Sequence, residues 1–326
     1  MAATARAGAA ALFFVLAGCA TTSGTPSAPA PVGPVEVVGS EPILAAADLG
    51  DYGAILPSVY FMADGERHAY FIGFGEERGD QRAFHATSAD GVDWTIDEED
   101  PLAQLGLDLS PPGPIPGTVL QADDGTWVMY LGGLEAPLLR GGVIWRATSD
   151  SPAGPWVADP EPIVGLGERG EWDDLGIDFP AVVRTDEGWL MLYGGVGNAD
   201  RESSSIGLAT SEDGITWTKE PEPVLRPDLC AGPDGRVATL ARLLPTDDGF
   251  LLLYDRGRET GAATSPDGRT WTCASREPIL RAADVPGSEG IHTMAATLID
   301  GKVSLLIESL IGQGGSELWL GELELP

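Results

Sequence analysis

The sequence predicts an all-β protein, a five-bladed β-propeller whose last blade is closed by the N-terminal strand. A strand–turn–strand unit recurs along the chain, and its tryptophans stand at positions 94, 156, 217 and 271. Each unit also contains a tight Asp-Gly or Glu-Gly turn between two apolar runs, at 64–65, 124–125, 187–188, 248–249 and 300–301. The fifth unit lacks an outer strand, and the segment 35–44 ends in the Glu-Pro-Ile-Leu that closes other units. A shared last blade closes the ring and removes an open sheet edge.

Each unit reads as an apolar strand, a tight turn, a second strand, a longer loop and then a hairpin that carries the tryptophan. The hairpin aspartates at 90, 213 and 267 are expected to shape turns, and the tryptophans to pack the blades. The tryptophans are spaced by 62, 61 and 54 residues, which exceeds the period of common propeller repeats and indicates long loops inside each unit. These loops, at 75–82, 132–142, 194–205, 255–261 and 309–316, are predicted to lie on one face and to carry the binding chemistry.

The chain opens with a predicted export signal over residues 1–18, in which Arg6 precedes a short apolar core at 11–17. The signal ends in Leu16-Ala17-Gly18-Cys19, which resembles the lipobox of bacterial lipoproteins. Lipid on Cys19 would anchor the protein in the bacterial cell envelope, on the periplasmic or extracellular face. A plain signal peptide with an unmodified cysteine is the alternative. Residues 19–34 are rich in Thr, Ser, Pro and Ala and predict a disordered tether, and residues 35–326 form the propeller.

The charge and the cysteines narrow the classes of partner. The chain carries 50 acidic residues against 19 Lys plus Arg, a net charge of -31, so phosphate backbones would repel it and nucleic acid is excluded as a partner. A monomer is expected. In an exported protein, the two remaining cysteines, Cys230 and Cys273, predict one disulfide. Two cysteines without metal-site spacing predict no metal site.

Five-bladed propellers with this hairpin pattern resemble the arabinanase–xylosidase–invertase group of glycoside hydrolases, family 43 and its relatives. The resemblance covers about 35–325. It implies a glycan or another small polar ligand in a funnel at the ring axis, and bond cleavage by three carboxylates at the inner ends of the blades. No cofactor is expected to be required, although the resemblance leaves room for a structural calcium ion at the axis.

The resemblance transfers to some positions and fails at others. The run Gly176-Ile177-Asp178-Phe179-Pro180 is similar to the Ile-Asp-Pro of the family, and Glu289-Gly290-Ile291-His292 is similar to its Gly-His. Asp178 and Glu289 are therefore the predicted catalytic carboxylates. The aspartate that the family places in blade 1 is replaced by Leu56-Pro57, and its glutamate of blade 4 by the segment 236–239. An equal alternative for Asp178 is a hydrogen-bonding brace at the start of its strand.

The predicted substrate-binding residues are His292, Asp51, Arg236, Asp255 and Arg256. The arginines of the fourth unit, at 236, 242, 256 and 258, are expected to bind a uronic acid or another anion, or to pair with nearby acids. His68 and His85 fall within blade strands and are given no special role.

Three functions are compatible with these observations. The first is a surface-anchored glycan-active enzyme, the second is a non-catalytic glycan-binding propeller, and the third is an interaction scaffold in the cell envelope. The first, a glycoside hydrolase-like protein with its site in the central funnel, is the leading hypothesis, and the two missing carboxylates favour the second as its alternative. The fold alone does not choose among them, because one fold hosts many functions.

Overall fold

The computed structural model describes residues 32–75, 80–107, 113–133, 142–197, 205–226, 241–312 and 314–325. The predicted signal peptide, Cys19, most of the tether, Cys230 and Arg236 lie outside these residues. The strands within them form five antiparallel sheets. No helix in the described ranges is long and apolar enough to span a membrane.

Each sheet is one blade, built from strands that follow one another in the chain. Before the first blade come β1 (Glu36–Val38), β2 (Leu44–Ala45) and a 3-10 helix (Ala46–Leu49). Blade 1 contains β3 (Ala54–Ala63), β4 (Glu66–Phe74), β5 (Gln81–Ser88) and β6 (Thr95–Ile96). Blade 2 contains β7 (Ile115–Gln121), β8 (Trp127–Gly133), β9 (Val143–Ser149) and β10 (Val157–Ala158). Blade 3 contains β11 (Gly176–Thr185), β12 (Gly188–Val196), β13 (Ser205–Ser211) and β14 (Thr218–Lys219).

Blade 4 contains β15 (Ala241–Thr246), β16 (Gly249–Asp255), β17 (Thr260–Ser265) and β18 (Thr272–Cys273). A second 3-10 helix (Ala282–Asp284) then leads to blade 5, with β19 (Gly290–Ile299), β20 (Lys302–Ile311) and β21 (Gly315–Glu324). Consecutive inner strands contact one another, and β19 contacts β3 of blade 1. The five-bladed ring is therefore closed, as the sequence predicts.

The N-terminal strands complete the last blade. β1 pairs antiparallel with β21, with Val37 opposite Gly321, and β2 pairs with the same strand, with Leu44 opposite Leu318. The outer edge of β21 is thus covered by the beginning of the same domain. This confirms the prediction made from the Glu-Pro-Ile-Leu match, and it means that the blade forms only when both ends of the propeller meet.

The outer strands of the other blades are shorter than the sequence suggests. Each contains two residues after the tryptophan segment, and in blades 2 to 4 the pairing resumes as a single bridge, Ile144–Val164, Ile206–Leu225 or Thr260–Leu280. The bridging residue lies two positions after a proline, at 162, 223 or 278. Because proline has no N–H to donate, it interrupts the ladder at an edge where the interruption is tolerated.

The core lies between blades. Buried apolar side chains form five clusters, and each joins two neighbouring blades, such as Tyr70 and Ile72 of blade 1 with Met129 and Leu131 of blade 2. Trp156 is fully buried in this first cluster and donates its indole N–H to the hydroxyl of Tyr70 at 2.8 Å. The recurring tryptophans therefore pack the blades, as the sequence predicts.

The hairpin aspartates hold turns. Asp213 Oδ1 accepts hydrogen bonds from the backbone N–H groups of Ile215 and Thr216 at 2.8 and 2.7 Å, and Ser211 Oγ donates to it at 2.9 Å. Asp90 and Asp267 repeat the arrangement. The face that carries these turns is called the turn face below. The opposite face, where the inner strands begin and the second strands end, is called the loop face.

Candidate functional site

The loop face brings together most of the residues that the sequence singles out. Asp178 lies at the start of β11, Glu289 directly precedes β19, and His292 lies within that strand. Asp51 precedes β3, while Asp255 ends β16 and Arg256 follows it. Because the second strand of each blade runs antiparallel to the inner strand, it ends where the inner strand begins. All six residues therefore belong to one end of the propeller.

Asp178 is the most unusual carboxyl group on this face. It is half-buried, and its Oδ1 accepts one hydrogen bond, from the backbone N–H of Phe179 at 2.7 Å. Burial raises its pKa to about 6, because desolvation disfavours the ionised form more than this one hydrogen bond favours it. No ion pair to Asp178 occurs among the described residues. The group can therefore hold or release a proton close to neutral pH.

A glycine in the neighbouring blade makes room for this carboxyl group. Gly132 lies near the end of β8 in blade 2, and a Cβ at this position would overlap Oδ1 of Asp178. Any larger residue would push the carboxyl group out of its present place. The side chain of Asp178 therefore lies against blade 2 rather than against its own sheet.

A β-bulge gives the start of β11 its shape. Asp178 pairs with Gly194, but the next regular pair is Ala181 with Leu192, so two residues of β11 face one residue of β12. Phe179 within the bulge has φ of 53°, a left-handed conformation that few non-glycine residues adopt. Bulges bend a strand and redirect its side chains, and they are frequent beside active sites.

The same kind of bulge occurs in the inner strand of blade 5. Ile291 pairs with Ser309 and Met294 with Ile307, so His292 and Thr293 form the bulge. In blades 1 and 2, the last residues paired before the bulge are Pro57 and Pro116. The partner of Asp178 lies two residues along the second strand from the first pair after the bulge, and the residues at this register in blades 1, 2 and 5 are Leu56, Ile115 and Ile291. Asp178 is therefore the one carboxylate at this register in the four bulged inner strands.

His292 forms a pair with a buried glutamate that sequence reasoning missed. Its Nδ1 lies 3.0 Å from Oε2 of Glu308 on β20. The histidine side chain is 47% exposed whereas the glutamate side chain is 4% exposed, so the acid is held inside and the imidazole faces outward. The hydrogen bond to Glu308 raises the pKa of His292, and the nearby Asp255 adds to the effect. His292 is thereby oriented and biased towards its protonated form.

The other predicted residues are placed less specifically. Glu289 and Asp51 are exposed, and the structure gives neither side chain a hydrogen-bond partner among the described residues. Asp255 is half-buried and accepts a hydrogen bond from the backbone N–H of Gly257 at 2.9 Å. Arg256 is buried and donates to the carbonyl of Arg276 at 3.1 Å, on the outer side of blade 4. Arg236 lies outside the described residues.

The two remaining histidines are joined in a buried chain within blade 1. His68 Nδ1 lies 3.0 Å from His85 Nε2, and His85 Nδ1 lies 2.8 Å from Asp97 Oδ2. Burial lowers the pKa of both histidines, because it disfavours the charged form. Sequence reasoning assigns these residues no special role and misses the chain, since nothing in their spacing shows that they face each other across β4 and β5.

The described residues contain no group of three or more His, Cys, Asp or Glu side chains that could hold a metal ion. Cys273 on β18 is disulfide-bonded. Its predicted partner, Cys230, lies outside the described residues.

Comparisons with known proteins agree with the architecture. The sequence matches no protein-family model and no curated protein sequence. Solved structures match along most of the chain. A glycosyl hydrolase from Bacteroides ovatus is 16% identical, covers 90% of this chain and 94% of its own, and has a TM-score of 0.65. Zg3597, a family 117 glycoside hydrolase from the marine bacterium Zobellia galactanivorans, is 18% identical, with 90% and 89% coverage and a TM-score of 0.62.

A third similar structure is the α-L-arabinofuranosidase PaAbf62A from Podospora anserina in complex with cellotriose. It is 13% identical, covers 91% of this chain and 99% of its own, and has a TM-score of 0.65. At these identities the likeness concerns the fold. The protein therefore has a propeller of the five-bladed type found in glycoside hydrolases, and its chemistry must be argued from its own residues.

Proposed function

We propose that this protein is a carbohydrate-active enzyme that binds a glycan at the axis of the loop face and cleaves a glycosidic bond there. The observation that carries the proposal is Asp178, a half-buried carboxyl group whose pKa is raised to about 6. A group with a pKa near the working pH transfers protons effectively in either direction. The cellotriose complex of the structurally similar PaAbf62A supports a sugar as the ligand.

Asp178 is proposed to transfer the proton, and Glu289 to act as the second carboxylate that glycoside hydrolysis needs. His292 is proposed to bind the sugar, because its imidazole is exposed on the loop face while Glu308 fixes its orientation. Asp51, Asp255 and Arg236 remain proposed substrate-binding residues, whereas Arg256, which donates to a carbonyl on the outer side of blade 4, is not proposed to reach a sugar at the axis. No cofactor enters this scheme, and a calcium ion at the axis remains a proposal without a described ligand set.

The second candidate is a glycan-binding propeller without catalysis. One observation favours it. Leu56 and Ile115 occupy the register of Asp178 in blades 1 and 2, so the described inner strands offer one carboxylate at this level instead of several. Hydrolysis by the usual route needs two carboxyl groups about 5 to 10 Å apart across the scissile bond.

A substrate screen separates the two candidates. The purified full chain should release reducing sugar from one or more members of a panel of polysaccharides and aryl glycosides. Asp178→Asn keeps the shape of the side chain and should lower turnover by about 10²–10⁴-fold, the usual contribution of a general acid or base, while glycan binding persists. Unchanged turnover in the variant would remove Asp178 from the site. Glycan binding without turnover by the wild type would establish the binding propeller.

The location is a separate proposal. Lipid on Cys19 would hold the propeller at the bacterial cell envelope, with the tether between the membrane and the domain. Cys19→Ser should release the protein into the soluble or extracellular fraction. A Cys19→Ser protein that still sediments with membranes and resists salt washing would show that the cysteine is not the anchor.

A further inference from the structure

Arg242 is a buried cation at the centre of the ring. It lies on β15, the inner strand of blade 4, and is 7% exposed. Its Nη1 donates to the carbonyl of Ala241 at 3.0 Å, and its Nη2 to the carbonyl of Pro57 at 3.4 Å. Both acceptors are uncharged. The Nε–H is buried and has no partner among the described residues.

The contact with Pro57 fixes where the guanidinium lies. Pro57 is on β3 of blade 1, and blade 5 separates blade 1 from blade 4 in the ring. A side chain that joins the inner strands of these two blades must reach across the axial region. Pro57 directly follows Leu56, which occupies in blade 1 the register at which Asp178 stands in blade 3. The guanidinium therefore lies close to the axis, at the level of the candidate site.

The charge of Arg242 is not balanced by any acid that the structure describes. Other arginines of the described ranges form ion pairs near the surface, such as Arg146 with Asp159 and Arg281 with Glu277. Arg242 forms none of these pairs. Burial lowers its pKa to about 10, which leaves the guanidinium protonated at neutral pH. A buried charge without a counter-ion is costly, whereas an anion that fits beside it is held strongly.

We propose that Arg242 receives the carboxylate of an acidic sugar, so that the site is selective for uronic acids over neutral sugars. This inference rests on the proposed function in that it takes the ligand to be a glycan. The planar fork of a guanidinium matches the two oxygens of a carboxylate. His292 is already paired with Glu308, so Arg242 supplies the buried charge that an anionic ligand can neutralise. Two other arginines of the fourth unit differ from Arg242, because Arg256 donates to a carbonyl on the outer side of blade 4 and Arg258 is exposed.

Selectivity in the wild-type chain is the first measurement. D-Glucuronate and D-galacturonate are titrated against the full chain by ligand-observed NMR, with D-glucose and D-galactose as matched neutral sugars. The salt concentration is held at 0.15 M, where the Debye length is about 8 Å and long-range repulsion is weak. The uronates should bind about 10- to 100-fold more tightly, the range expected for hydrogen bonds to charged groups. Equal affinities in the wild type would overturn the inference whatever the variants do.

Variants then test whether Arg242 is responsible. Arg242→Gln should bind the uronate and the neutral sugar equally. Arg269→Gln removes the same charge from the turn face of the same blade, where Arg269 is exposed and paired with Glu220, and should keep the preference. If Arg242→Gln does not fold, Arg242→Lys keeps the charge but not the fork, and should reduce the preference. A preference that survives in the folded Arg242 variant would contradict the assignment.

Two further arms identify the anion and separate this inference from the proposed function. Acetate and a galactose sulfate ester are titrated in the same way. Stronger binding of the sulfate ester than of the uronates would contradict the carboxylate, and equal binding of acetate and uronate would contradict a sugar ligand. Uronate selectivity together with an absence of turnover would retain the role of Arg242 and reject catalysis. Turnover without uronate selectivity would retain catalysis and reject the role of Arg242.

Discussion

Asp178 and Asp213 lie at opposite ends of blade 3, and their environments shift the pKa of an aspartate carboxyl group in opposite directions. Asp213 is exposed on the turn face, and backbone hydrogen bonds from Thr216 and Ile215 lower its pKa to about 2. Asp178 on the loop face has one backbone hydrogen bond and is desolvated, so its pKa rises to about 6. Hydrogen bonds to the ionised form favour it, and burial disfavours it.

Repetition also separates the two positions. The arrangement around Asp213 recurs at Asp90 and Asp267, as expected of a group that shapes every hairpin. The arrangement around Asp178 does not recur at the same register, where blades 1 and 2 have Leu56 and Ile115. A feature that is repeated in several blades stabilises the propeller itself. A feature that occurs in a single blade breaks the symmetry, and it marks a place where a ligand can be recognised.

The largest expected effect is an opposite response of two matched variants, one of which loses activity while the other loses stability. Asp178→Asn should lower turnover by about 10²–10⁴-fold and should not lower the melting temperature, since the amide can keep the one hydrogen bond and removes a charge that burial disfavours. Asp213→Asn should leave turnover unchanged and lower the melting temperature, because a charged acceptor of two backbone N–H groups is lost. Steady-state kinetics and thermal unfolding by circular dichroism measure both. Loss of stability in Asp178→Asn with full activity would assign that residue to bracing β11.

The repeated features could be predicted from the sequence because they are local. The turn Asp213-Gly214 and the following Trp217 stand within a few residues of one another, and so do their counterparts in other units. The closure of blade 5 was predictable because the segment at Glu41-Pro42 repeats a pattern whose position in the blade was already known. Asp178 was found because it precedes Phe179-Pro180 at the start of an inner strand.

The parts of the site that the sequence did not reveal depend on contacts between distant residues. Glu308 looks like one polar residue in an apolar strand, and its role depends on His292, which faces it across the bulge of β19. In the sequence, Gly132 looks like an ordinary strand glycine. Its role is visible only in the fold, which places Asp178 of the next blade against it. Arg242 was grouped with other arginines because they are near in sequence, whereas its Nη2 contacts Pro57, 185 residues away.

A second, smaller effect tests how closely the position of the Asp178 carboxyl group is set. Gly132→Ala would place a methyl group on Oδ1 of Asp178, so the carboxyl group must move. A displacement of about 1 Å in a catalytic group costs on the order of 10²-fold in rate. Gly165→Ala is the control, since a Cβ there has no atom within 4 Å. Initial rates of both variants give the comparison.

A double variant distinguishes displacement of Asp178 from general damage to blade 2. In the Asp178→Asn background, Gly132→Ala should cost little further activity, because both changes act on the same carboxyl group and their effects are not additive. Multiplicative losses in the double variant would show that Gly132 acts independently of Asp178.

The smallest effect is a difference in pH dependence between the two ends of blade 3. The folded-state pKa of Asp213 lies at about 2, below its ordinary value of 3.8. Its stabilisation is therefore fully present above about pH 4 and is lost as the pH falls through the folded-state value. The melting temperature of Asp213→Asn should lie below that of the wild type at pH 7, and the difference should disappear near pH 2. Subtracting the two curves removes the shared contribution of His68 and His85, whose lowered pKa values reduce stability as the pH falls below about 6.5.

The rate of the wild type should instead change near pH 6, where Asp178 titrates. A rate profile that is flat from pH 5 to 7, or a difference in melting temperature that is the same at pH 2 as at pH 7, would contradict the contrast between the two faces.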